Sequence, residues 1–229
     1  MLSEVVRRRI NREPSAYITG HTEFAGLDLV ITPAALIPRP ETELLVESAV
    51  ELISRMEARP PLIADIGTGC GAIAIALALR LPAATIYATD VSGPALKLAA
   101  LNCQRHSVAD AITLLQGNLT EPLPGPVHLI VANLPYVRDS DVDALEPEIS
   151  TFEPRLALNG GPDGLRLIEE LLGQARQRPM PTGGILLEIG YDQAQAVCDL
   201  ARDCFPHARA RVTRDLAGLD RLVAITPGG

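Results

Sequence analysis

Three glycines at alternate positions, Gly67, Gly69 and Gly71, follow an apolar stretch that carries an acid, Asp65, and precede a run of small apolar residues, Ala72 to Leu79. Residues without a Cβ adopt positive φ at little cost and let a ligand lie against the main chain, with the amide end of the next helix turned toward it. The loop reads Asp65-Ile66-Gly67-Thr68-Gly69-Cys70-Gly71. Its G-x-G-x-G spacing, with an acid two residues before the first glycine, departs from the G-x-G-x-x-G of dinucleotide sites and favours S-adenosylmethionine over NAD. Nineteen residues past Gly71, Asp90 closes a second apolar stretch, Thr85 to Thr89, where a carboxylate suits the two hydroxyls of a ribose. The loop alone is also compatible with a ligand-free strand-to-helix turn.

A second group, Asn133-Leu134-Pro135-Tyr136, ends another apolar stretch, Val127 to Ala132. The Asn133 side-chain oxygen and the Leu134 main-chain oxygen can accept the two hydrogens of a planar NH2, and Tyr136 can stack on its plane. Holding both hydrogens turns the nitrogen lone pair toward a methyl sulfonium placed opposite, so transfer proceeds by positioning and needs no metal. The alternative is a plain β-turn with Asn and Pro in their usual places. A third stretch, Leu36 to Glu43, has Pro38 and Pro40 around Arg39, which stiffens an extended loop before a helix. There Arg39 and Glu41 either line a pocket mouth or pair with each other on the surface.

The elements that must position these residues alternate. Leu2, Val5, Val6 and Ile10 predict a short amphipathic helix around Arg7 to Arg9, ended by the Pro14 to Gly20 segment, and Glu23 to Ile31 reads as a hairpin. Thr42 is placed to cap a helix from Glu43 to about Met56. Ala72 to Leu79 alternates like a strand, yet its alanines, the glycine turn before it and Pro82 after it predict a buried helix. Strands from Leu62 to the acid Asp65, and at Thr85 to Thr89, Ala111 to Leu115, Val127 to Ala132 and Gly184 to Ile189, alternate with helices at 93–105, 165–177 and 192–204. Arg209 to Val212 and Leu222 to Ile225 form a closing antiparallel pair, and Val137 to Asp163 is acidic and rich in Pro and Gly, with Asn159 to Gly164 as an evident loop. Such alternation predicts a doubly wound α/β fold whose ligands bind beyond the carboxyl ends of the strands, where Asp65, Asp90, Asn118 and Asn133 fall. The expected division is an N-terminal helix, linker and hairpin over 1–35 and a catalytic domain over 36–229.

At 229 residues, 47% hydrophobic with no Trp, the chain suits one α/β domain with a small appendage and an aliphatic core. A net charge of −8 lacks the basic footprint of a duplex binder, which speaks against nucleic acid as the main partner. Cys70, Cys103, Cys198 and Cys204 form no C-x-x-C pair and the histidines are scattered, so neither zinc nor a disulfide framework is indicated. No stretch is long and apolar enough to span a membrane, and residues 1–20 carry no signal core, which predicts a cytoplasmic protein.

Together, Glu13 to Gly20, Leu36 to Glu43, Asp65 to Ala78, Ala88 to Ser92, Asn133 to Tyr136, Phe152 to Gly164, Leu187 to Gly190 and Asp215 to Arg221 resemble the HemK/PrmC-type protein-(glutamine-N) methyltransferases. Those enzymes modify the glutamine of a Gly-Gly-Gln loop in peptide chain release factors. The resemblance implies a seven-stranded methyltransferase sheet. It also implies S-adenosylmethionine held by Asp65, Gly67, Thr68, Gly69, Cys70, Gly71, Asp90 and the Asn118-Leu119 turn, with Asn133 alongside, and a substrate glutamine held by residues 133–136. The sequence departs from the family at three points. Leu134 replaces a proline, Asn118 stands where an Asp is usual, and Met1 falls at the last helix of the N-terminal domain that the family uses to engage release factors. An adenine amino-methyltransferase of nucleic acid and a cofactor-binding homologue with little activity are the competing readings; the oligomeric state is left open.

Overall fold

The computed structural model describes residues 2–56, 60–177 and 182–228. The chain opens with helix α1 (Leu2–Ile10) and a short helix α2 (Ser15–Thr19), then a hairpin of β1 (His21–Phe24) and β2 (Leu27–Val30). After a tight turn at Pro40–Thr42 come α3 (Glu43–Ser54), β3 (Leu62–Ile66), α4 (Ala72–Arg80), β4 (Thr85–Asp90), α5 (Gly93–Arg105), β5 (Ile112–Gln116) and β6 (Leu129–Ala132). The second half runs through α6 (Pro147–Phe152), α7 (Arg166–Arg176), β7 (Gly184–Glu188), α8 (Ala194–Cys204), β8 (Ala208–Arg214) and β9 (Asp220–Pro227).

Seven strands form one sheet in the order β5-β4-β3-β6-β7-β9-β8. The first five run parallel, while β9 pairs antiparallel with both β7 and β8. The expected doubly wound, seven-stranded sheet with its antiparallel close is therefore present. Strand order reverses between β3 and β6, which opens a crevice beyond their carboxyl ends. Both faces are covered, so inner strands read as continuous apolar runs: Ile63 packs toward α3, α4, α5 and the hairpin, whereas Ala64 and Ile66 pack toward α7 and α8. Helix α4 is buried along nearly its whole length, which its small side chains permit and which explains its lack of a polar face.

Three local expectations are corrected. Pro14 and Gly20 do not merely end the first helix; they bracket α2, with Gly20 as its left-handed C-cap. The acidic region after Tyr136, to which the sequence pattern assigned no element before the Asn159 to Gly164 loop, carries α6 and two single turns at Val142–Ala144 and Arg155–Ala157. Edges also shift by one or two residues, as where β6 begins at Leu129 rather than Val127.

The hairpin is tied to the main sheet through one side chain. Asn102 of α5, fully buried, accepts from Val30 N at 2.9 Å and donates through Nδ2 to Val30 O and Cys70 O, both at 2.9 Å. It thus holds the hairpin against the glycine loop with its hydrogen-bonding groups satisfied. Asn102→Ala strands three main-chain groups in the interior and is expected to cost about 2–4 kcal/mol of stability. Urea denaturation checks this; a loss below about 0.5 kcal/mol shows that the tie is dispensable.

Candidate active site

The glycine loop turns back on its neighbour strand. Gly67 N and Thr68 N both donate to Thr89 O at 2.9 Å, and Gly69 N donates to Asp90 Oδ2 at 2.9 Å. Gly67 has φ +75°, and a Cβ there would lie 3.1 Å from Leu134 Cδ2, so the segment after β6 approaches the loop as closely as a hydrogen side chain allows. Gly71 has φ +87°, where a Cβ would press on Ala99 of α5 at 3.2 Å. Asp90 is part-exposed, and its other oxygen accepts from Ser92 N at 2.8 Å. Its remaining lone pairs are unassigned by these bonds.

Asp65 lies underneath. It is fully buried, takes a hydrogen bond from Thr68 Oγ1 at 2.6 Å, and leaves Oδ1 without a partner. Any hold it has on a ligand therefore runs through the loop it braces. Cys70 is likewise buried, and burial pushes its thiol up to about 12. A cradle of main chain with a half-satisfied carboxylate behind it fits a cofactor laid on the loop, as S-adenosylmethionine would be. Farther along the sheet edge, the Asn118-Leu119 turn is present. Leu119 has φ +49° and accepts from Thr89 Oγ1 at 2.9 Å, while Asn118 Nδ2 donates to Glu170 Oε1. A strained non-glycine residue held by a buried hydroxyl is the kind of feature found at functional turns.

The Asn133–Tyr136 segment meets the glycine loop across the crevice. Leu134, at the position where the sequence departs from the family, buries its side chain on Gly67, which anchors the segment by packing in place of a proline ring. From the other side the 158–164 loop presses on it. Val137 N donates to Leu158 O at 3.0 Å and Gly160 N to Val137 O at 2.8 Å. A Cβ on Gly164 would fall 2.2 Å from Tyr136 O, and one on Gly160 would fall 2.6 Å from Pro135 O. Gln193 closes the brace, donating to Tyr136 O at 3.1 Å while accepting from Gly190 N at 2.8 Å. Tyr136 is part-buried; desolvation pushes its phenol up to about 12, with Glu188 adding to the rise and Arg221 and Arg39 opposing it.

Thr42 does not cap α3. Its side chain makes no bond to the helix; instead its hydroxyl accepts from Asn133 Nδ2 at 3.0 Å. Arg39 does not pair with Glu41 either. It meets Glu153, whose side chain is almost fully buried, at 2.5 Å, and Ile37 N donates to the same carboxylate at 3.3 Å. Arg221 extends from β9 to Asp215 at 3.2 Å and Ile189 O at 3.4 Å. Sequence reading missed Thr42, Gln193 and Glu188 as parts of the site. Glu188 did carry a signal, since it ends an apolar strand as Asp90 does.

Desolvation, the largest influence on each, pushes Asp65 and Glu188 up to about 7. In the folded state these acids keep protons that the unfolded chain releases, so the stability they lend is full below their ordinary pKa near 4 and is lost as pH rises through about 7. Asp65→Asn removes the titration at one of them. The thermal midpoint of the variant relative to the parent is expected to climb between about pH 5 and pH 8. A constant difference across that range means that Asp65 does not titrate there.

Residues 42–160 match the methyltransferase small domain family. The release factor glutamine methyltransferase of Moorella thermoacetica is 45% identical over 219 residues, covering 95% of this chain and 76% of that protein. The namesake from Coxiella burnetii is 42% identical, covering 99% and 80%. In fold, a solved methyltransferase from Pyrococcus furiosus aligns with a TM-score of 0.62 at 16% identity, over 97% of this chain and 98% of that one. With this degree of identity over most of both lengths, the chain belongs to the release factor glutamine methyltransferase family.

Proposed function

We propose that the crevice between β3 and β6 is where this enzyme moves the methyl group of S-adenosylmethionine to the side-chain amide nitrogen of a glutamine in a peptide chain release factor. The observation that carries this reading is the meeting of the glycine loop and the Asn133–Tyr136 segment at the point where strand order reverses, within van der Waals reach at Gly67 and Leu134. When bound, S-adenosylmethionine supplies a methyl group made electrophilic by its sulfonium. The Gly67–Gly71 main chain, the Asp90 carboxylate and the Asn118-Leu119 turn would hold it.

Asn133 and Leu134 act on the substrate. The Asn133 side-chain oxygen and the Leu134 carbonyl accept the two amide hydrogens of the glutamine, orienting its nitrogen, while Tyr136 covers the amide plane. Pro135 and the 158–164 loop keep those acceptors from relaxing when the hydrogens arrive. The step needs no metal, because the electrophile is already charged. A net charge of −8 and the family's named substrates support a protein partner over nucleic acid. A release factor works at the ribosome, which supports a cytoplasmic setting; among the described residues no helix is long and apolar enough to cross a membrane.

Two substitutions separate the roles. Asp90→Ala is expected to weaken S-adenosylmethionine binding by about 1–3 kcal/mol in calorimetric titration, since it removes a charged acceptor, and unchanged affinity takes Asp90 out of the site. Asn133→Ala is expected to slow single-turnover methyl transfer to a release factor by about 10²–10³ with cofactor affinity little changed. Transfer at the parental rate would show that Asn133 does not hold the substrate.

A further inference from the structure

A single exposed apolar side chain is ordinary and carries little information. At the carboxyl end of the sheet, on the β6 side of the crevice and away from Asp90, three occur on two neighbouring segments. Tyr191, just past β7, is 64% exposed; in the turn between β8 and β9, Leu219 is 44% exposed and Leu216 stands wholly in water. The two segments lie side by side, because Ile189 N donates to Arg221 O at 2.9 Å and Arg221 Nη1 returns a bond to Ile189 O at 3.4 Å. Gln193 joins them to the site, accepting from Gly190 N at 2.8 Å and donating to Tyr136 O at 3.1 Å.

A loose hairpin tip could fold its leucines back onto the protein. This one is fixed. Asp215 N donates to Leu219 O at 2.9 Å, Gly218 N donates to Asp215 O at 2.9 Å, and the Asp215 carboxylate accepts from Ala217 N at 2.9 Å and Leu219 N at 3.0 Å. Arg221 Nε holds the same carboxylate at 3.2 Å, with both side chains largely buried. A turn so braced keeps its leucines in water and leaves little for a partner to order on binding. The charges flanking the two segments are paired as well, Arg214 with Asp220 at 2.9 Å and Arg138 with Asp192 at 2.5 Å. What this surface offers a partner is therefore apolar, which suits a protein and not a phosphate backbone.

We propose that Leu216, Leu219 and Tyr191 form a docking ridge for an apolar surface of the release factor next to its glutamine loop, resting on the assignment of the crevice as the place of glutamine methylation. A glutamine side chain is short, so an enzyme that methylates it within a folded protein must meet the residues around it at the mouth of the crevice. The glycines of a Gly-Gly-Gln loop have no side chain to offer. The apolar contact comes instead from the residues that flank the loop, and the ridge receives them on the side of the crevice where Asn133 to Tyr136 hold the glutamine. The cofactor side, at Asp90, stays clear of the partner.

The test is steady-state methyl transfer from S-adenosylmethionine to a release factor by the full chain, with cofactor affinity and thermal midpoint alongside. The variants are the double substitution Leu216→Ser with Leu219→Ser, its apolar counterpart Leu216→Met with Leu219→Met, and Tyr191→Ser. Because the three side chains lie in water in the free enzyme, thermal midpoint and cofactor affinity are expected to stay at the parental values. In the double serine variant KM for the release factor is expected to rise by about 10–100-fold with kcat within about twofold, since the lost contacts act on docking and not on the chemical step. The double methionine variant is expected to keep KM near the parent's, and Tyr191→Ser to raise it. Parental KM in the double serine variant overturns the ridge and leaves the methyltransferase reading standing. Transfer by the parent to ribosomal RNA, with the release factor unmodified, overturns that reading and the ridge with it. Equal losses in the serine and methionine pairs, or a fall in kcat in step with thermal midpoint, also overturn the ridge, because side chains acting within the fold behave in that way. Should the double serine variant fail to fold, parental KM in Tyr191→Ser overturns it.

Discussion

The crevice exists because two main-chain segments approach one another with only a hydrogen between backbone and side chain. Gly67, at φ +75°, leaves room for Leu134, and a Cβ there would sit 3.1 Å from Leu134 Cδ2 and 3.9 Å from Asn133 O. The rest of the architecture serves that approach. The parallel pairing of β3 with β6 brings Ile66 and Ala132 level, so the residues that follow them diverge from adjacent points. Small side chains in α4 and α5 let the helix after the loop settle against the sheet, with Gly71 close on Ala99. Covering the other flank, the 158–164 loop uses its own glycines to lie flat on Pro135 O and Tyr136 O.

Behind this main-chain frame lies an unusual amount of buried acid. Asp65, Glu153 and Glu188 are each within 5% of full burial, yet they are satisfied to different degrees. Glu153 has Arg39 and a main-chain amide. Asp65 and Glu188 each keep one oxygen without a partner, an arrangement that costs stability and raises their affinity for protons. A fold selected only for stability would replace such groups with apolar ones. Their presence beneath the glycine loop and at the end of β7, beside the strand that leads to Asn133, marks where stability is given up at the site.

The glycine loop, Asp90 and the Asn133–Tyr136 segment were legible in the sequence because each is local: spacing, strand ends and turn chemistry are read over a few residues. The same holds for the alternation of strands and helices along the chain and for α4, where alanine content outweighed a misleading alternation. Thr42 was misread because a threonine before a helix looks like a cap, and nothing nearby reveals a partner 91 residues away at Asn133. Arg39 was left between two readings for the same reason, since Glu153 lies 114 residues on. The packing role of Leu134 could not be seen at all from its position in the motif. Tertiary contact, not local chemistry, decides such residues.

The central claim concerns where the methyl group goes. Incubating the chain with isotopically labelled S-adenosylmethionine and a release factor, then locating the label by fragmentation mass spectrometry, addresses it without any substitution in the enzyme. The account predicts the label on the side-chain amide of the glutamine in the Gly-Gly-Gln loop, with none on a release factor in which that glutamine is replaced by asparagine. A label that appears elsewhere on the protein, or on ribosomal RNA while the release factor stays unmodified, would contradict it.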